Sequence, residues 1–252
     1  MSSKQRADAN MPILQHLLAL RKVLIVSAYF IAVGTAVGWF FSDRAYIFMA
    51  GPIIALEDIQ FITTTPLEPI LVKLKVSLFL GLMVALPGVM WQIWGFILPA
   101  LKQNEKKYLY LIVPSSVLLF LAGAAMCFFV VLPIGIQFLL YAGNASVEST
   151  PFLTKTSYLS FLLTFVLSFG LVFQMPIVML VLIRIGVLTP KTLAKNRRWA
   201  IFLIVVLAVI ISPTPDLVTQ ALMAGPMYFL YEISIWLGYL VARKREKALA
   251  AE

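Results

Sequence analysis

The sequence predicts an all-α integral membrane protein with six transmembrane helices, and three observations predict it. Of 252 residues, 62% are hydrophobic and 12% charged, far from the balance of a soluble domain. The apolar residues gather in six runs, 23–41, 76–98, 108–132, 156–183, 199–211 and 217–242. Most approach or exceed the ~20 residues a helix needs to cross hydrocarbon. Charge divides between alternate loops. With a cytoplasmic N-terminus, one side holds Lys4, Arg6, Arg21, Lys22, Lys102, Lys106, Lys107, Arg184, Lys191, Lys195, Arg197, Arg198, Arg243, Lys244, Arg245 and Lys247, sixteen of the 20 basic residues. Short-loop Lys/Arg bias sets orientation, so both termini are expected in the cytoplasm.

Six spans with short connections leave one membrane unit: residues 1–22 as a cytoplasmic amphipathic segment, 23–242 as the bundle and 243–252 as a basic tail. The formal charge of +9 resembles a nucleic-acid signature, but topology and anionic lipid account for its placement, and no nucleic acid is expected as a partner. The single cysteine, Cys127, excludes an internal disulfide and any multi-cysteine metal site. One histidine, His16, cannot form a cluster. The first twelve residues are polar and no small-residue pattern closes the first run, so that run is expected to persist as a helix.

Asn10 and Pro12 have the form of a helix start, with Ile13, Leu17, Leu20 and Leu24 on one stripe. Residues 42–69 are read as an extracytoplasmic cap containing Pro52 and a short helix over the patch 49–56. Pro87 in the second run, Pro114 and Pro133 in the third and Pro176 in the fourth predict a kinked, concave bundle, because an interior proline frees a carbonyl. The fifth run has 13 residues, about 20 Å at ~1.5 Å per residue, against ~30 Å of hydrocarbon. The turn Ser212-Pro213-Thr214-Pro215-Asp216 ends it and places Thr214, Asp216 and Gln220 among the candidates.

Glu232 lies inside the last run, eleven residues before Arg243 and by helical rise ~16 Å from the cytoplasmic end. A carboxylate there is either a functional group or a hydrogen-bonded tie between helices. Gln174 beside Pro176 fits an interhelical bond. Glu105 is the acid within the basic loop 102–107, and Phe96 fits an interfacial aromatic. No catalytic constellation, phosphate loop or metal motif appears, so neither enzyme activity nor a cofactor is expected.

These residues, in this order, resemble the TatC family, the multispanning receptor component of the twin-arginine protein translocase. His16-Leu17-Leu18-Ala19-Leu20-Arg21 resembles the family's HLxELR opening, and Pro52 matches a proline of its first far-side loop. Pro87, then Trp94-Gly95-Phe96-Ile97-Leu98-Pro99-Ala100-Leu101 and Glu105-Lys106-Lys107, resembles its signature around the first cytoplasmic loop. Phe169 to Pro176 resembles FGxxFExP with Gln174 for Glu, and Thr214-Pro215-Asp216, Gln220, Pro226 and Tyr231-Glu232 resemble its closing motif. The resemblance implies a receptor for paired-arginine signal peptides on folded cargo, driven by the proton-motive force. It implies a multimeric complex with small single-span partners of the TatA/TatB type. Glu105 and Phe96 match the signal-binding residues, with Arg21, Lys106 and Lys107 beside them. The family's second signal-binding glutamate is Ala19 here, and a basic residue of the same motif is Val23. A proton-coupled small-solute carrier using Glu232, and a scaffold for other membrane helices without receptor activity, are the alternatives.

Overall fold

A computed structural model of the chain describes residues 3–54, 60–97, 109–142, 152–212 and 216–249. It is helical but for two short strands. The order is α1 (Ser3–Ile54), β1 (Gln60–Ile62), α2 (Glu68–Ile97), α3 (Leu109–Met126), a π turn (Cys127–Val131), α4 (Leu132–Ala142), β2 (Phe152–Thr154), α5 (Lys155–Val172), α6 (Met175–Ile185), α7 (Pro190–Lys195), α8 (Arg197–Ile211) and α9 (Leu217–Leu249). The chain divides into two compact units, Met1–Tyr46 with Lys73–Val117 and Ile47–Val72 with Leu118–Glu252.

Among the described residues four helices are long and apolar enough to cross a membrane: Leu17–Ile54, Glu68–Ile97, Leu109–Leu139 and Lys155–Ile185. These four correspond to the first four of the six runs. The fifth run forms α8, 15 residues long, and the sixth forms α9, which carries Gln220, Pro226 and Glu232. The all-α expectation holds but for two three-residue strands. β1 and β2 pair in parallel, Phe61 opposite Leu153, giving two connecting segments a backbone partner in each other.

The first run departs most from expectation. Its helix begins at Ser3, upstream of Asn10 and Pro12, because Lys4, Gln5, Arg6 and Ala7 are good helix formers that continue the pattern. It also passes through Ser42, Asp43 and Arg44 to Ile54, so the separate short helix of the expected cap is the end of α1. Ser42 Oγ donates to the Trp39 carbonyl at 2.8 Å, and the Asp43 carboxylate meets Lys73 Nζ at 3.1 Å. With those groups satisfied, the polar residues do not end the helix.

In the first unit α1 packs on α2 through glycine. A Cβ on Gly34 would stand 2.5 Å from the Gly81 carbonyl oxygen, and one on Gly38 would stand 2.7 Å from that of Ser77. Backbones can approach this closely only where side chains are absent, the small-xxx-small arrangement of membrane helices.

In the second unit the core is Leu132, Leu159, Leu162, Phe165, Phe169, Met223 and Met227, each at most 2% exposed. The π turn has a local cause. Pro133 lacks an N–H and its ring crowds the Phe129 carbonyl, and the wider turn before it, closed by Leu132 N–H to Cys127 O, supplies the room. Pro176, at the start of α6, cannot bond back to Val172. The fourth run therefore breaks at Phe173–Gln174 and resumes at Met175. Gly186 closes α6 with φ 84°, the left-handed cap glycine favours. Ser212 ends α8 with ψ 125°, the extended conformation imposed before Pro213.

Candidate functional site

The packing of α1 on α2 fixes their register. Gly38 meets Ser77, Gly34 meets Gly81 and Phe30 meets Gly88, so the helices run antiparallel, with the start of α1 beside the end of α2. Arg21, nine residues before Phe30, and Phe96, eight after Gly88, therefore lie toward the same end of the pair. Arg21 and Lys22 are exposed and Phe96 is half-buried. Two residues that the sequence separates by seventy-five positions therefore share one end of the helix pair. Glu105, Lys106, Lys107 and Pro99 lie outside the described residues.

The opposite end of the pair was not anticipated. Lys73 Nζ bonds Asp43 and stands 5.3 Å from the Trp39 ring centroid, a cation held by a carboxylate and an aromatic face together. The spacing of Gly34 and Gly38 was the readable signal for this pairing.

Glu68 was also missed. It is 2% exposed. Its Oε2 accepts from Thr64 N at 2.8 Å and Thr64 Oγ1 at 3.3 Å, and its Oε1 accepts from Thr156 N at 3.0 Å. Thr154 Oγ1 accepts from Ser157 N at 3.3 Å. One carboxylate and one hydroxyl thus satisfy two of the open donors in the first turn of α5 and join it to the turn after β1. Tyr158 OH donates to the Met49 carbonyl at 2.6 Å, fixing the end of α1 to the same helix.

The intramembrane candidates separate. Gln174 sits at the α5–α6 break, half-buried, beside buried Pro176. Asp216 caps α9: Oδ1 accepts from Thr219 N at 2.7 Å and Oδ2 from the Thr219 hydroxyl. Gln220 opens the helix with its N–H on the Asp216 carbonyl at 3.2 Å. Thr214 lies outside the described residues. Pro52 falls in the last turn of α1, while Pro87 and Pro226 lie within the continuous helices α2 and α9.

Glu232 is not an isolated mid-membrane carboxylate. Its Oε2 accepts from Arg197 Nη2 at 2.8 Å and its Oε1 from Tyr228 OH at 3.0 Å. The adjacent Tyr231 OH donates to the Leu193 carbonyl at 2.8 Å. α9 continues past Arg243 to Leu249. Glu232 stands level with the start of α8, where a guanidinium is available. The Arg197 bond joins α9 to α8, the contact that the reading as a tie between helices expects. No group of three or more His, Cys, Asp or Glu able to hold a metal occurs among the described residues.

The profile of the family "Sec-independent protein translocase protein (TatC)" matches residues 15–226. The chain is similar to the TatC protein of Aquifex aeolicus, 40% identical over 94% of this chain and 98% of that one. It is 37% identical to the TatC protein of Carboxydothermus hydrogenoformans over 94% of this chain and 96% of that one. With TatCy of Bacillus subtilis it shares 30% identity over 96% and 94% respectively. Among solved structures, a crystal structure of the twin arginine translocase receptor TatC superposes with a TM-score of 0.79 at 40% identity, covering 90% of this chain and 99% of that one.

Proposed function

The chain belongs to the TatC family of Sec-independent protein translocase proteins, and from that membership we propose that it is the multispanning receptor of a twin-arginine translocase. The observation that carries the reading is the match, over 99% of its length, to a solved twin arginine translocase receptor. Arg21 and Phe96, brought to one end of the α1–α2 pair, support the same assignment of the signal-binding end. Glu105 would supply the carboxylate that guanidinium groups meet through forked, charge-assisted hydrogen bonds. Lys106 and Lys107 would flank it. The loop's basic character would repel a dicationic motif unless a carboxylate were aimed at it.

The proposal includes six spans in a concave bundle, with α8 and α9 as the last two and both termini in the cytoplasm of a bacterial inner membrane. At 15 residues, α8 reaches about 22 Å, short of ~30 Å of hydrocarbon, so its far end would sit below the surface or thin the bilayer. Single-span partner helices would pack near Gln174, Thr214 and Gln220, and their oligomers with this chain would move folded cargo on the proton-motive force. The carrier reading needed Glu232 as a relay, and its Arg197 and Tyr228 partners give that residue a structural task.

The test is photo-crosslinking of a twin-arginine signal peptide to a probe at position 105 in membranes containing the partners. Crosslinks that vanish when the paired arginines become lysines, and signal binding that falls in Glu105→Gln, are expected. Unchanged binding in Glu105→Gln overturns the assignment of that residue. Absence of any crosslink, with partner helices still captured, replaces the receptor with a scaffold.

A further inference from the structure

The second unit contains a cavity of about 430 Å³ that the signal-recognition reading does not use. Its walls come from four elements: Ile53 at the end of α1, Ile136 and Leu139 of α4, Leu153 of β2, and the face of α5 carrying Ser157, Ser160, Phe161 and Thr164. Size and lining narrow its occupant. An α-helix is about 10–12 Å across with its side chains, so two turns fill on the order of 1,000 Å³. The cavity does not enclose a segment of that size. It holds about fourteen groups of water or methylene size at ~30 Å³ each, the bulk of one straight hydrocarbon chain.

The polar wall has a direction. Ser157, Ser160 and Thr164 recur at helical spacing on one face of α5, from its first turn inward. Ser160 Oγ donates to the Thr156 carbonyl at 2.7 Å, so its proton is committed to the backbone. Ser157 Oγ instead accepts from Thr154 Oγ1 at 2.7 Å, which leaves its own proton to donate outward from an exposed position. The cavity therefore offers one hydroxyl donor at the end of α5 and a run of apolar side chains beyond it. The Glu68 bonds to Thr64 and Thr156 and the Tyr158 bond to Met49 hold these walls together before any ligand arrives, the preformed state usual for small-molecule sites.

We propose that this cavity holds one acyl chain of a membrane phospholipid, its ester carbonyl accepting from Ser157 and its tail running past Phe161 and Thr164 toward Ile136. The occupant is structural lipid drawn from the leaflet beside the start of α5, and it seals the junction of α1, α4, β2 and α5 against water.

Native mass spectrometry of the full chain in mild detergent tests this. After extensive delipidation the wild type is expected to keep one phospholipid per chain. Thr164→Trp, which puts an indole into the cavity, is expected to lower that occupancy at least tenfold, and Ser157→Ala several-fold. Leu118→Trp, at an exposed site on α3, is expected to keep it. A wild type that retains no lipid, retains only detergent or free fatty acid, or a Thr164→Trp protein with full occupancy, overturns the proposal. Because Thr164→Trp could fail to fold, the wild type is also irradiated in vesicles of phospholipid with a diazirine in the acyl chain. Adducts on residues 136–139 and 157–164 are expected, and adducts confined to outward faces such as that of α8 overturn it.

Discussion

Gly81→Ala should loosen the pairing of α1 with α2, and the size of the effect follows from geometry. A Cβ on Gly81 would lie 2.7 Å from Thr35 Cα, with Thr35 N and Oγ1 nearer still. Unstrained carbon contacts are about 3.5–4.0 Å, so the backbones must part by roughly 1 Å at the crossing. In lipid, helix association has no hydrophobic drive and depends on close packing. A radial gap of 0.5–1 Å already forfeits about a quarter to a half of each contact's attraction. Forcing a methyl group into a filled site costs about 1–3 kcal/mol, and the better helix propensity of alanine returns up to about 1 kcal/mol. The net loss is about 1–2 kcal/mol, or about 2–8 °C in Tm for a chain of this size. Gly95 and Gly225 supply the control, since a Cβ there meets nothing within 4 Å. Alanine at either should leave Tm unchanged or raise it. The assay is thermal unfolding in detergent followed by tryptophan fluorescence. If Gly81→Ala melts at or above the wild type while the controls behave as stated, the crossing does not hold the two helices as described.

Ala19→Glu should tighten binding of a twin-arginine signal about three- to tenfold, because a carboxylate is restored near the Arg21–Phe96 end and charge-assisted bonds are the strong ones; unchanged affinity would show that position 19 plays no part. Arg197→Gln should destabilise the protein more than the double variant Arg197→Gln/Glu232→Gln, since the single change leaves a carboxylate without its guanidinium. The pair is half-exposed, 50% and 29% at the two side chains, so a double-mutant cycle should give a coupling of only about 0.5–1 kcal/mol, and zero would remove the tie. Asp216→Ala should cost about 1 kcal/mol through loss of the α9 cap while Asp216→Asn retains most of it, read as urea or thermal midpoints. Glu68→Gln has one acceptor oxygen where two are used, so amide exchange should accelerate at Thr64 or Thr156 and not in α9. Equal protection at both would show that the carboxylate is not their acceptor.

What the sequence made legible was set by composition within a single stretch. The runs ending at residues 183 and 211 became helices ending at Ile185 and Ile211, because apolar length and a proline-rich stop are local properties. What it hid was set by partners far along the chain. Asp43 lies within α1 and meets Lys73, thirty residues on. The cap carboxylate Glu68 meets Thr156, 88 residues on, and its single-letter context is an ordinary acidic residue at a helix start. Glu232 was noticed for its cost in a membrane, but the group that removes the cost, Arg197, belongs to a different helix. The pairing of Arg21 with Phe96 was legible only as a resemblance, and the antiparallel contacts of α1 on α2 put the two residues toward one end.

That register also changes what the substitution at Ala19 means. Ala19 lies two residues before Arg21 on α1, so a carboxylate at that position would reach the same end of the α1–α2 pair as Phe96. The alanine leaves Arg21 and Lys22 there, both exposed, with no acid on α1 between Asp8 and Asp43. Two incoming guanidinium groups would meet a local field that is positive except for what the following loop supplies, and that loop has Glu105 as its acid among Lys102, Lys106 and Lys107. Opposite charges at ~4 Å attract by about 4 kcal/mol at an effective dielectric of 20, and like charges repel equally. On the proposed function, recognition would therefore concentrate on one carboxylate, Glu105, with no second acid to share its loss. Glu105→Gln should abolish arginine-dependent binding in the native background and only weaken it in Ala19→Glu. A Glu105→Gln defect of the same size in both backgrounds would show that the two positions do not act on the same signal.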